Sequence, residues 1–127
     1  MRWRDERGSA AAEFVMVGAL LTVLTLAVLQ FGLVLHIRNT VLDAAAEGAR
    51  LASFADNDLN DGVARTTDLI SVAIGPAFAH DVRADYDTYL GHSAVVITVR
   101  APLPLLGLLG PNGLLEVSGH AAVETVD

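Results

Sequence analysis

Cysteine is missing from this sequence, and so is lysine. Without thiols there is no disulfide, no thiolate ligand and no cysteine nucleophile. A chain of this kind is compatible with an oxidising compartment. Every base is an arginine, and the eight bases face fifteen acids, for a formal charge of −7. Nucleic-acid binding needs a basic surface that displaces counterions, so this balance speaks against it. The acidic excess reads as a solvated surface that keeps a domain soluble. Also missing are a glycine-rich phosphate loop, a G-x-S-x-G elbow and an H-E-x-x-H pair. The four histidines, His36, His80, His92 and His120, stand on different elements with no ligand-type spacing. No metal or other cofactor is expected. Asp81, Asp85 and Asp87 share one face and could hold a cation. A charged outer strand face that blocks edge-to-edge aggregation explains them better. Nothing in the pattern supports an enzyme.

A further absence is local. Between Phe14 and Ile37 no residue carries a formal charge, and Thr22, Thr25, Gln30 and His36 are the only clearly polar side chains. Phe14 to Leu35 would span about 33 Å as a helix, close to the hydrocarbon thickness of a bilayer. A buried globular helix of that length would show a polar stripe. The run therefore predicts a membrane span. Arg2, Arg4 and Arg7 precede it, and Arg38 and Arg50 follow it, so the positive-inside bias favours a cytoplasmic N-terminus. The run is too long for the apolar core of a cleaved secretory signal, and no small-x-small site closes it. Outside the span about 90 residues remain, marginal for a self-sufficient core. Such a domain must lean on its own helix or on neighbouring subunits.

The span does not stop at the membrane surface. "HIRNTVLDAAAEGARLASFA" is alanine-rich and free of proline, so the helix is expected to run on to about Phe54. Val41, Ala45, Ala49 and Ala52 recur at helical spacing as a narrow face of small side chains, which lets backbones approach closely. Glu47 and Arg50, three apart, can pair. Asp56, Asn57 and Asp58 break the pattern with turn and N-cap residues. Leu59, Val63, Thr66, Ile70 and Ile74 then predict an amphipathic helix from about Asp58 to Ile74, ended by Gly75-Pro76.

From there the period changes to two. Val82, Ala84 and Tyr86 alternate with Asp81, Arg83, Asp85 and Asp87. Val95, Ile97, Val99 and Ala101 form one face of a second strand, against Val96, Thr98 and Arg100. Leu115, Val117, Gly119, Ala121 and Val123 form one face of a third, against Glu116, Ser118, His120 and Glu124. Short links suggest an antiparallel meander with one face covered by the helices. The fold class is α+β: a long N-terminal transmembrane helix extending into a small domain with a second helix and a three-stranded antiparallel sheet. Between the last two strands lies a loop whose stretch Leu103 to Leu109 holds five leucines. It either caps the domain core or marks a contact with a neighbouring subunit or the membrane surface.

The remaining oddity is Glu13, an acid at the margin of the span. Such a residue is costly and a functional candidate, unless it simply reaches into the headgroups. The stretch around it, "RGSAAAEF", resembles the processing site of type IV prepilins. These have a short basic leader ending in glycine, then a mature chain with Glu fifth and an aromatic sixth. Counted from Ser9, Glu13 is fifth and Phe14 sixth. Downstream, "LDAAAEGARLAS" resembles the helix extension of the TadE-like family, with Glu47, Gly48, Ala49 and Arg50 as its E-G-A-R. The resemblance covers Arg7 to about Ser53; residues 54–127 carry no matching motif.

The resemblance implies a TadE-type minor pilin or pseudopilin of a tight-adherence (Tad) pilus. It implies a leader at 1–8, a transmembrane and extended helix at 9–54, and a small extracytoplasmic domain at 55–127. A membrane aspartyl prepilin peptidase would cut between Gly8 and Ser9 on the cytoplasmic side. Glu13 would attract the freed N-terminal amine during assembly, of its own chain or the next, since opposite charges compensate in a low dielectric. The other partners implied are further pilins, pilus assembly proteins and the membrane, with the chain in the cytoplasmic membrane or in the extracellular pilus. The alternative is a single-span anchored binding module unrelated to pili.

Overall fold

Residues 2–54, 56–103 and 114–123 are described by a computed structural model of the chain. Helix α1 runs unbroken from Arg2 to Ser53. Its composition explains its length: no proline interrupts it, and leucine and alanine, both strong helix formers, dominate. By their contacts the residues fall into two units, Met1–Leu33 and Val34–Asp127.

In the first unit the described apolar side chains are exposed. Phe14 is 78% exposed, and Val15, Met16, Leu20, Leu24 and Phe31 are exposed with it. Water does not tolerate an apolar surface of this extent, but lipid does. The Thr22 and Thr25 hydroxyls donate to the carbonyls of Gly18 and Leu21, each at 2.8 Å. These bonds satisfy both threonine side chains within the helix itself, as a bilayer requires. Among the described residues this is one helix long and apolar enough to cross a membrane.

The second unit is a helical layer on a three-stranded sheet. Helix α2 spans Leu59–Ile74. Asp58 caps it with a reciprocal box: its side chain accepts from the Asp61 N–H at 3.0 Å, and Asp61 accepts from the Asp58 N–H at 2.9 Å. A box of this kind is worth about 1 kcal/mol. Gly75, at φ +111°, closes the helix by donating to the carbonyls of Ile70 and Ser71, and Pro76 begins a single 3-10 turn, Pro76–Phe78.

Strands β1 (Asp81–Tyr89), β2 (His92–Pro102) and β3 (Leu114–Ala122) form an antiparallel meander in the order β1-β2-β3. Register is set by alternation. Val82 lies opposite Val99, and Val99 opposite Val117; Ala84 lies opposite Ile97, and Ile97 opposite Gly119. Val95, Ile97, Val99 and Ala101 are buried as their spacing predicts, and so are Leu115 and Val117. Against them pack Ile37, Val41, Ala44, Ala45, Ala49 and Ala52 of α1 and Ile70 of α2. The sheet, the second helix and the α+β class stand as the sequence reads.

Tyr86 takes the face that its spacing predicts but is little covered there. It lies on the inward face with Val82 and Ala84, yet it is 54% exposed. The last five residues of β1 are all exposed, so the cover over this edge strand thins toward the hairpin. Of the apolar loop, Leu103 packs partly against the core. Its remainder to Leu109, like Glu124 of the third strand, lies outside the described residues.

Candidate functional site

The segment from Gly8 to Phe14 lies on the N-terminal part of α1, with Gly8, Ser9, Glu13 and Phe14 all exposed. Three consecutive alanines keep it helical. Ser9 and Glu13 are four apart, so they share a face one turn from each other, about 6 Å along the axis. Among the described residues Glu13 has no cationic partner. Gly8 has open space where a side chain would project, with nothing within 4 Å of a Cβ.

The E-G-A-R stretch is divided by the helix. Glu47 and Arg50 lie toward solvent, where the Arg50 guanidinium meets the Glu47 carboxylate at 3.0 Å. An exposed pair of this spacing contributes only a few tenths of a kcal/mol. Gly48 and Ala49 turn inward and are buried. A Cβ on Gly48 would lie 1.8 Å from Thr66 Oγ1 and 2.7 Å from the Gly62 carbonyl oxygen. A Cβ on Gly62 would in turn lie 2.8 Å from both the Ala52 Cβ and the Gly48 carbonyl oxygen. The two helices therefore touch backbone to backbone. Thr66, fully buried at this crossing, donates its hydroxyl to the Gly62 carbonyl at 2.8 Å, and the Ala44 carbonyl lies 3.4 Å away. The same helix also meets the sheet. At Gly119 a Cβ would fall 2.5 Å from the Ala45 carbonyl carbon and the Ala46 nitrogen.

Gly62 was given no place by the sequence pattern, and Thr66 and Gly119 were expected on faces of their elements but not as points of close approach. A glycine inside a helix or a strand is itself a signal of close backbone approach, and both Gly62 and Gly119 carry it. Thr66 was expected on the inward face of α2 and occupies it.

The outer face of the sheet carries paired charge. Arg83 meets Asp81 at 3.0 Å along β1, and Arg100 meets Glu116 at 3.0 Å across β2 and β3. Thr98 and Ser118 share a hydrogen bond of 3.2 Å between them. Asp85 and Asp87 each accept from the next backbone N–H, of Tyr86 and Thr88. His120 stacks on Tyr89 with ring centroids 4.6 Å apart. His36, His80 and His92 are exposed at separate places. Among the described residues no group of three or more histidines and acids is arranged to hold a metal ion.

Residues 8–50 match the family model described as TadE-like protein, the family that the sequence resembles. The matched segment begins at Gly8 and ends at Arg50, so it takes in the candidate cut site, the apolar helix and the E-G-A-R stretch, but less than half of the chain. No curated protein matches the chain. No solved structure matches it either. The TadE-like match thus covers the N-terminal helix that is long and apolar enough to cross a membrane.

Proposed function

We propose that this chain is a minor pilin or pseudopilin of a Tad-type pilus. Prepilin peptidase cuts it between Gly8 and Ser9 at the cytoplasmic face. The mature helix stays in the cytoplasmic membrane with its N-terminus inside and its C-terminal domain outside. It then joins or primes the pilus together with other pilins and assembly proteins, in assembly or adhesion. Glu13 holds the freed amine of Ser9, on the same chain or its neighbour. One observation carries the proposal: the TadE-like match starts on the glycine of the candidate cut site and runs along a helix whose apolar side chains from Phe14 to Leu33 are exposed. The exposure of Gly8, Ser9 and Glu13 supports it, since a peptidase and a partner both need access to them.

The direct test is the N-terminal sequence of the membrane-bound protein from cells with and without the peptidase. The expected result is Ser9 with the enzyme and Met1 without it; any other start in the presence of the enzyme overturns the processing step. Gly8→Arg should block the cut. Glu13→Ala should still be cut but should lower pilus number at least tenfold, counted by electron microscopy. Normal piliation by that variant removes the role given to Glu13.

A further inference from the structure

Gly8, like Gly18 and Gly32 of the apolar run, is a helical glycine that no packing in the folded chain explains, and of these three it is the one that lies outside that run. Gly48, Gly62 and Gly119 each sit where a Cβ would strike a neighbour, whereas one on Gly8 meets nothing within 4 Å. Gly8 is nevertheless inside α1, which starts at Arg2. Glycine is the poorest helix former after proline, so it weakens the helix here with no packing gain.

The bond that follows Gly8 is the one assigned to cleavage. In an α-helix the Gly8 carbonyl accepts from the N–H of Ala12, four residues on. Hydrolysis needs that carbonyl carbon open to water on one side and its oxygen open to incoming donors. A helical Gly8–Ser9 bond offers neither. We propose that the leader, Arg2–Gly8, peels away from α1 before it is cut, and that Gly8 and Ser9 together set where the peeling stops. The proposal rests on the reading of Gly8–Ser9 as the cut site. In the opened chain one water adds across the bond: its oxygen joins the Gly8 carbonyl carbon, the C–N bond breaks, and the Ser9 nitrogen leaves as an ammonium group.

The residues on either side of the junction differ in the direction this needs. The leader is shorter than the ~12–15 residues an isolated helix needs to hold itself in water. Ser9 is a preferred N-cap type, and in the opened chain its hydroxyl can accept from the N–H of Ala11 or Ala12. Ala10, Ala11 and Ala12 are the best helix formers available. Glu13 then falls in the first turn of the shortened helix, where the helix dipole favours a carboxylate. Beyond Phe14 opening would bare amides to lipid, which is prohibitive. Ser9 thus offers the helix a second start point within α1.

The test uses the full uncut chain in nanodiscs. Amide hydrogen exchange is compared between the wild type and Gly8→Ala, and cleavage by purified prepilin peptidase is timed on both. Leader amides of Gly8→Ala should exchange about fivefold more slowly, the factor expected from the Gly-to-Ala difference in helix propensity. Cleavage should slow by a similar factor. Adding Glu6→Gly, away from the cut, should restore exchange and most of the rate, while Glu6→Ala should not. If the Gly8→Ala/Glu6→Gly chain opens but is cut as slowly as Gly8→Ala, a narrow enzyme pocket explains the glycine and the proposal falls. If the wild type is not cut after Gly8 at all, the processing step itself is wrong. The peeling is then judged by exchange alone, and equal exchange in wild type and Gly8→Ala overturns it.

Discussion

At Gly119 the backbone of α1 comes against β3 with no side chain between them. Gly119→Ala would push a methyl group into the Ala45 carbonyl carbon, a backbone atom that cannot turn aside. The expected cost is about 3 kcal/mol, near the top of the overpacking range. Gly48→Ala meets the Thr66 hydroxyl first, which can rotate, and the Gly62 carbonyl second. Its cost should be smaller, about 1–3 kcal/mol. Thermal unfolding of the full chain in detergent, followed by circular dichroism of the sheet, checks both values and their order. Equal and negligible shifts would contradict the close approach. The inward face of α1 was legible in the sequence, because Val41, Ala45, Ala49 and Ala52 repeat at helical spacing. Which glycine would oppose it was not. Gly62 and Gly119 lie far along the chain from Ala45, and local periodicity does not name a partner. For the same reason E-G-A-R read as one motif, although Gly48 and Ala49 make the packing and Glu47 and Arg50 remain at the surface.

Elements were easier to read than their cover. Helix α2 announced itself through Asp58 and Gly75-Pro76, and the strands through strict alternation, because cap chemistry and period are local properties. The meander followed from short links. The exposure of Tyr86 was not legible because alternation tells which face a residue takes, while the reach of the helices over that face is a tertiary matter. The hairpin between β1 and β2 holds a local strain. Its two turn residues, Leu90 and Gly91, have φ of +52° and +82°. Glycine accepts that conformation freely, whereas leucine pays about 1 kcal/mol of steric strain there. Leu90 is also 82% exposed, so its side chain gains almost nothing from packing. Leu90→Asn should therefore stabilise the second unit by ~1 kcal/mol, read as a rise in the denaturant midpoint at unchanged slope. A fall in the midpoint would mean that Leu90 makes a contact that its exposure hides.

At the scale of the whole chain, the two readings of function differ in what the apolar helix is for. In a pilin it is part of the assembly; in an anchored binding module it only holds a domain near the membrane. Exchanging Ser9–Leu35 for an unrelated span of equal length separates them. The first buried residue of α1 is Ile37, so the exchange leaves the domain core intact. Loss of piliation with normal protein level and a normal unfolding transition is expected. Full function with the foreign span would favour the anchored module instead. The span and its flanking arginines were legible because lipid imposes a composition that no other environment rewards. The TadE-like likeness was legible from Gly8 to Arg50 for a related reason, since an apolar helix and a buried glycine both demand particular residues at fixed distances. The outer sheet face asks only for polarity, so its sequence names no partner.

One mechanical consequence follows from the seam between Ala45 and Gly119. Helix α1 continues without a break or a proline from Arg2 to Ser53, and its later turns are part of the core of the second unit. A pull applied to the sheet therefore meets no slack linker. It passes as shear across a backbone-to-backbone contact into those later turns of α1, so within the second unit load is shared by the packed core rather than spent on uncoiling a tether.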